Sequence, residues 1–256
     1  MLDIRSYFVE PGERVALDRW PADDDGGLDK DAARERFKQL TKRLDELQEL
    51  LYADGSRALL VVLQAMDTGG KDSTIRAVFG PLNAQGCRVA NFKAPSTLER
   101  SHDFLWRVHQ QVPVKGNIVV FNRSHYEDVL VVRVKKLAPE SRWRPRFDHI
   151  NAFEKLLVDE GTVVVKFYLH ITKAYQKKRL QRRLDKFDET WKFNPADLAE
   201  RARWGEYMTA FEEALGRCSK PWAPWYVVPA EKRWFRNLLV AEALAAHLES
   251  LDLKFP

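Results

Sequence analysis

Apolar residues recur along this chain with two periods, and the way those periods alternate sets the expectation for the fold. Residues 29–52 place Phe37, Leu40, Leu44, Leu47 and Leu51 three or four apart, one stripe of an amphipathic helix that Asp54-Gly55 closes. Short, largely apolar runs follow at 57–64, 87–92, 117–121, 162–169 and 225–228, each the length of a strand covered on both faces. Helical patterns fill the intervals. One carries Ile75, Val78, Phe79 and Leu82, and another, over 97–110, buries Phe104, Leu105 and Val108. Others span 128–137, 147–158, 172–185, 195–215 (with Trp204 and Phe211) and 231–251. Strands alternating with helices predict an α/β fold of three layers, α/β/α, around a parallel five-stranded sheet. Residues 1–28 show neither period and read as an irregular segment with a polar turn at Asp23-Asp24-Asp25-Gly26-Gly27. The remainder, 29–256, reads as a single domain.

The first apolar run ends in Gln64-Ala65-Met66-Asp67-Thr68-Gly69-Gly70-Lys71-Asp72-Ser73-Thr74, with a helical pattern immediately after. That is the order of a strand–loop–helix phosphate cradle. Gly69 and Gly70 let the backbone turn its N–H groups toward an anion, the helix start adds the positive end of its dipole, and Lys71 supplies a mobile point charge. The match to a P-loop is incomplete, since Ala65 holds the first glycine position and Asp72 follows the lysine. A carboxylate at Asp67 would repel bound phosphate unless a cation lay between them, which points to Mg²⁺. In a parallel sheet ligands bind at the carboxyl ends of the strands, where Asp67, Lys93 and Asn122 all fall.

A second polar stretch, Phe121-Asn122-Arg123-Ser124-His125-Tyr126-Glu127-Asp128, stands directly beyond a core strand. Arg123 offers a fork for phosphate oxygens, and Asn122 could serve a metal only as a weak neutral ligand. Glu127 or Asp128 could reach a metal, a ribose or an amine. The same residues also fit a helix start, with Ser124 as cap and Glu127 at the third position. Arg133, Lys135 and Lys136 extend the positive charge. Farther on, Lys177, Lys178, Arg179, Arg182, Arg183 and Lys186 fall within ten residues. Arg179 and Arg183 are four apart on one helix face and could clamp phosphates as a lid over about 172–194, Trp191-Lys192-Phe193 forming its far end.

Composition narrows the setting. The hydrophobic fraction, 45%, supports a sizeable core, and no apolar run approaches a membrane span. The start, Met1-Leu2-Asp3-Ile4-Arg5, lacks the apolar core of a secretory signal, and the only cysteines, Cys87 and Cys218, read as unpaired thiols of a reducing compartment. A cytoplasmic protein is expected. The formal charge of +5 is concentrated rather than spread, which suits a polyanionic partner. Aromatics do not interleave with the basic residues, so nucleic acid is not expected, and no nucleophile elbow is present. The six histidines lack metal-ligand spacing, and His125 alone is expected near the site.

With both stretches in hand, the chain resembles the polyphosphate kinase 2 family over roughly residues 30–251. The resemblance rests on Gln64 to Asp72 and Phe121 to Asp128, with Val132-Arg133-Val134 and the lid-like segment from Gln176 to Lys192 in support. It implies a thymidylate-kinase-like P-loop fold with a mobile helical lid, and reversible Mg²⁺-dependent phosphoryl transfer between inorganic polyphosphate and AMP, ADP and ATP. Glu127, within Tyr126-Glu127-Asp128, looks like the subgroup that phosphorylates both AMP and ADP. By position, Asp67, Lys71, Arg123 and Arg179 are the implied catalytic residues, with Asp67 on the metal. Gly69, Gly70, Lys71, Lys93, Arg123, Arg133, Arg179 and Arg183 are the implied phosphate contacts, and Asn122 and Glu127 the nucleotide contacts. Two positions depart from the family pattern. Asn122 stands where many relatives carry Asp, which shifts metal duty to Asp67, and Lys186-Phe187 replaces the usual Asp-Pro of the lid. An ATP-dependent nucleoside monophosphate kinase and a non-catalytic polyanion-binding protein remain the rival readings. The helix at 29–52 packs on the domain or on a partner subunit, and a homo-oligomer is expected.

Overall fold

The computed structural model describes residues 2–185, 187, 190 and 196–256. Lys186 and the far end of the lid, residues 191–195, lie outside the described residues. The five apolar runs form β1 (Ala58–Ala65), β2 (Cys87–Asn91), β3 (Ile118–Asn122), β4 (Thr162–His170) and β5 (Trp225–Pro229). They make one sheet in the order β2-β3-β1-β4-β5, every pair parallel. The expectation of a parallel α/β fold holds. Strands β1, β3 and β5 are buried almost throughout because helices cover both faces, whereas edge strand β2 leaves Arg88 and Val89 exposed. The register aligns Asn91 with Asn122, Asn122 with Leu63, and Ala65 with Leu169, so the carboxyl ends of the strands share one rim.

In chain order the helices are α1 (Lys30–Asp54), α2 (Lys71–Thr74), α3 (Thr97–Ser101), α4 (Trp106–His109), α5 (Val131–Val134) and α6 (Glu140–Trp143). There follow α7 (Arg146–Asp159), α8 (Lys173–Asp185), α9 (Ala196–Ala202), α10 (Trp204–Cys218) and α11 (Arg233–Glu249). Helix α1 begins at an Asp29 side chain that accepts from Asp31 N and Ala32 N, and ends at Gly55 with φ of 64°. Its Leu44, Leu47 and Leu51 are buried, and Arg36 and Arg43 form ion pairs with Glu242 and Glu249 of α11. The apolar stripe that suggested a partner subunit is thus largely covered within the chain. Residues 2–28 lack long elements but enter the same core through Tyr7, Val9, Leu17 and Trp20, with Val9 N donating to Trp225 O at 2.9 Å.

Three expected helices differ. The 97–110 pattern is interrupted because the Asp103 carboxylate accepts from Leu105 N (2.9 Å) and Trp106 N (3.1 Å), a local bond that competes with helix continuation. The 128–137 helix is instead a 3-10 turn (His125–Asp128) capped by Ser124, followed by the single-turn α5. The 195–215 helix bends at Arg203 (φ −89°, ψ 21°), where the guanidinium reaches Val134 O at 2.5 Å. In each case a polar contact outweighs the apolar period.

Beneath the second polar stretch lies a closed set of buried charges. Lys166 of β4 and Glu154 of α7 form an ion pair, and both are fully buried. Tyr126 Oη (2.9 Å) donates to Glu154 Oε1 and His125 Nε2 lies 3.1 Å from it, while Lys166 also donates to Cys218 O (2.7 Å) and Tyr126 Oη (3.0 Å). Burial pushes the Glu154 carboxyl up, but Lys166 and His125 together outweigh it and hold the group below its usual range. Charges buried this deeply persist only while paired. Replacing Glu154 by Ala strands the Lys166 ammonium, and urea unfolding of the variant is expected to show a loss of about 3–5 kcal/mol.

Candidate active site

Between β1 and α2 the chain curls through two residues of positive φ, Thr68 (64°) and Gly70 (99°). A Cβ on Gly69 would stand 2.6 Å from that of Ala65, and one on Gly70 would stand 2.0 Å from Arg236 Nη1. Both glycines are required by space, and Gly70 by backbone conformation as well. The carbonyl of Gly70 accepts from Thr74 N (2.9 Å), Ser73 Oγ (2.9 Å) and Thr74 Oγ1 (3.1 Å), which fixes the first turn. Lys71 folds back over the loop and donates to Ala65 O at 3.2 Å. Burial, helped by the Arg123 charge, lowers its ammonium to about 8 against the opposing pull of Asp67, Glu127 and Asp72. Beyond Thr74 the helix widens into a π turn over Ile75–Phe79, a distortion often found beside functional loops.

The second stretch enters the same rim. Arg123 has φ of 62°, a conformation that strains a non-glycine residue, and its N–H donates to Leu63 O at 3.1 Å. Its guanidinium is exposed and bonds no described residue. The Asn122 amide nitrogen donates to Asp72 Oδ1 (2.8 Å) and Asn91 Oδ1 (2.9 Å), tying the loop to two strand ends. In the orientation that satisfies its neighbours, the Gln64 amide donates to Glu127 Oε1 at 3.1 Å and accepts from Ser124. His125 corrects an expectation. It turns inward, fully buried, against Glu154 and the rings of Phe121, Tyr126 and Phe153.

Helix α8 lies over the glycine loop. Gln176 Nε2 donates to Asp67 O (3.1 Å), and Arg183 Nη1 pairs with Asp67 Oδ2 (2.9 Å) and stands 3.5 Å from Asp197 Oδ2. The basic cluster divides by face, with Lys177, Lys178 and Arg182 exposed and Arg179 and Arg183 half-buried. Arg133 is paired with Glu213 at 2.5 Å and lies over the Trp143 ring at 4.9 Å. Lys93 is exposed beyond the end of β2, its carbonyl accepting from Arg107 at 2.8 Å. The structure therefore gathers Asp67, Gly69, Gly70, Lys71, Asn122, Arg123, Glu127 and Arg183 around one rim, and shows Arg133 engaged in a different ion pair.

Among the described residues no group of three His, Cys, Asp or Glu side chains could hold a metal. Mg²⁺ does not need one, since it keeps several waters and is commonly held by one carboxylate plus substrate phosphates. Asp67 fits that pattern, being partly exposed with Oδ1 bonded to no described residue.

Sequence reasoning missed two features. Arg236 of α11 is 2% exposed and reaches the loop from below, where its only sequence signal is a charge set on the apolar stripe of a closing helix. A cavity of about 630 Å³ beside Asp128 is lined by Arg100, His102, Phe104, Arg107, Arg146 and His149, residues scattered over α3, α4, the start of α7 and the connection between α3 and α4.

A glycine loop leading from the first strand of a β2-β3-β1-β4-β5 parallel sheet into a helix, roofed by a basic helix, defines the P-loop kinase class of phosphate-binding proteins. Within that class the family is settled by comparison. The family model described as Polyphosphate kinase 2 (PPK2) matches residues 27–256, and the chain belongs to that family. It is 52% identical to an AMP/ADP-polyphosphate phosphotransferase of Meiothermus ruber, covering 99% of this chain and 96% of the relative. An ADP-polyphosphate phosphotransferase of Rhodopseudomonas palustris is 41% identical, covering 98% and 92%. The crystal structure of Polyphosphate Kinase 2 from Arthrobacter aurescens superposes with a TM-score of 0.94 at 41% identity, covering 98% of this chain and 90% of that one.

Gly70→Ala would force a side chain into the Arg236 guanidinium at a φ that suits glycine. The variant is expected to fold with a loss of about 1–3 kcal/mol in urea unfolding and to lose binding of inorganic polyphosphate in calorimetry. The Lys71 value gives a pH dependence. In the empty site the ammonium is charged below about 8, and a bound anion raises that value, so binding above it takes up a proton. Polyphosphate affinity should fall by up to about tenfold per unit as pH rises from about 8 to about 9.5. Lys71→Arg, charged throughout, should flatten the calorimetric profile.

Proposed function

We propose that this protein is a polyphosphate:nucleotide phosphotransferase that transfers phosphate, reversibly and with Mg²⁺, from inorganic polyphosphate to ADP and AMP, giving ATP and ADP. The observation that carries the reading is the charge balance at the rim. Lys71 and Arg123 stand close enough for Arg123 to help lower the lysine, and Arg123 has no acidic partner among the described residues. Such a site is built for a ligand more anionic than the few carboxylates near it. The family, and the printed activities of relatives similar over nearly the whole chain, point to the same ligands.

Phosphoryl transfer asks little covalent chemistry of a protein and much positioning and charge neutralisation. Two polyanions must be brought end to end, and their repulsion is the main obstacle. The loop N–H groups and Lys71 hold one phosphate chain at the helix start. Arg123, held in its strained turn by Leu63 O, faces the junction, while Arg179 and Arg183 of α8 close from above. Asp67 would hold Mg²⁺, which when bound supplies positive charge shared between the phosphates. Asn122 and Glu127 border the acceptor side. The cavity beside Asp128, with the Phe104 and His102 rings near arginines, supports placing the acceptor nucleotide there. No strong general base is needed, since a terminal phosphate oxygen is already ionised near neutral pH. Two unpaired cysteines, with the Cys87 thiol pushed up to about 11 by burial, fit a reducing cytoplasmic setting.

The test supplies ADP, Mg²⁺ and inorganic polyphosphate without ATP and follows products by phosphorus NMR. ATP should appear as polyphosphate shortens, whereas an ATP-dependent monophosphate kinase would leave polyphosphate intact and a binding protein would turn nothing over. Asp67→Asn should lower kcat by at least about a hundredfold, which corresponds to about 2.7 kcal/mol of lost transition-state stabilisation. Unchanged ATP formation by that variant would refute the role given to Asp67.

A further inference from the structure

The buried charge that the mechanism above leaves unused is Arg236. It lies in the first turns of α11, 2% exposed, and no carboxylate pairs with it among the described residues. Its Nη2 donates to Ser73 Oγ (3.0 Å) and, with Nε, to Asn237 Oδ1 (3.0 and 3.2 Å). Its Nη1 makes no hydrogen bond to a described residue and stands where a Gly70 Cβ would lie 2.0 Å away, packed against the bare Cα face of the loop. An isolated guanidinium taken out of water is ordinarily given an acid partner or left out of the interior. Here the opposite holds, since the charges nearest it are cationic. Burial lowers the guanidinium to about 10, and the charges of Arg233, one turn earlier on the same face, and of Arg179 of α8 push it the same way against an opposing pull from Tyr175. Ser73 and Asn237 are neutral. The positive charge under Gly70 is therefore fixed and uncompensated while the loop is empty.

We infer that Arg236 is a positioning residue for polyphosphate, a fixed cation beneath the glycine loop whose counter-charge is the bound phosphate chain itself. It acts through the loop, by pinning Ser73 at the start of α2 and by biasing the cradle toward anions. The inference rests on the reading of the site as a polyphosphate site and specifies what gives that site its affinity. A residue serving only to fill space under the loop would stabilise the empty protein and leave the charge dependence of binding untouched. An uncompensated charge does the reverse, raising the free energy of the empty protein and lowering that of the complex.

The experiment compares wild type with Arg236→Gln and Arg236→Lys, using inorganic polyphosphate as the probe. Thermal unfolding is recorded with and without polyphosphate, and KM for polyphosphate and for ADP is measured over a range of salt. Arg236→Gln is expected to unfold, when empty, at or above the wild-type temperature, and to lose most of the polyphosphate-induced rise in Tm. Its KM for polyphosphate should rise by about tenfold with KM for ADP little changed, and the log–log salt slope should become shallower, as removal of one phosphate-compensating cation requires. Arg236→Lys keeps the charge without the fork, so the salt slope should stay near wild type while KM rises by only about threefold. A Tm of the empty Gln variant several degrees below wild type, with the polyphosphate-induced rise and the salt slope preserved, would make Arg236 a structural plug and overturn the inference. Should the Gln variant fail to fold, a Lys variant with the same polyphosphate KM and a flattened salt slope would overturn it equally. Wild type that forms ATP from polyphosphate while the variants behave in that way would leave the functional reading standing and remove only this inference. Wild type that binds no polyphosphate would remove both.

Discussion

Like charges held close together are the constraint on which this molecule turns. Around one turn of backbone it places Lys71, Arg123 and Arg236, with Arg183 reaching the loop from α8, and it offers Asp67 as the carboxylate inside that loop. Such a concentration cannot persist in a soft structure, because each cation would swing into water. Burial of the Arg236 side chain and the fold-back of Lys71 onto Ala65 O prevent that for two of them, and Arg123 is fixed at its backbone, by a strained φ, with its guanidinium exposed. The protein thereby stores repulsion that an anionic ligand relieves, and relief of this kind distinguishes preorganised sites from basic surfaces in general.

The rigidity comes from the sheet and from the ionic set below it. The register places Asn91, Asn122, Ala65 and Leu169 on one rim, and hydrogen bonds from Asn122 join two of the strand ends to the start of α2. Underneath, Glu154 collects Lys166, His125 and Tyr126, so the turn that projects Arg123 and Glu127 is anchored by buried charges rather than by loop contacts alone. Strand β5 closes the arrangement by carrying Trp225 against Tyr126 and by receiving the N-terminal segment at Val9.

Much of this was legible in the amino-acid order, and the reasons are local. Largely apolar runs of strand length, separated by amphipathic stretches, specify a parallel sheet because helices on both faces can cover them. The glycine turn was legible because Gly69 and Gly70 answer to steric needs within a few residues of themselves. What was not legible depended on distant partners. Nothing near Arg203 reveals that its guanidinium will reach Val134, 69 residues away, where the helix bends. His125 sits in a polar stretch, yet its partner Glu154 is 29 residues away and draws it into the core. Arg236 comes 163 residues after Ser73, beyond the reach of any motif.

The Asn122 side chain governs the charge its acidic neighbours can carry together. The donor that Asp72 meets at 2.8 Å is an amide nitrogen, and the same nitrogen serves Asn91. Were the side chain at 122 a carboxylate, two oxygens would confront each other across that gap, and one of the pair would have to take up a proton or turn away. With nitrogen there, Asp72 accepts a hydrogen bond from the end of β3. A single exchange of oxygen for nitrogen thus decides how many negative charges the mouth of the nest can hold, and with it how strongly the mouth repels what it is meant to admit.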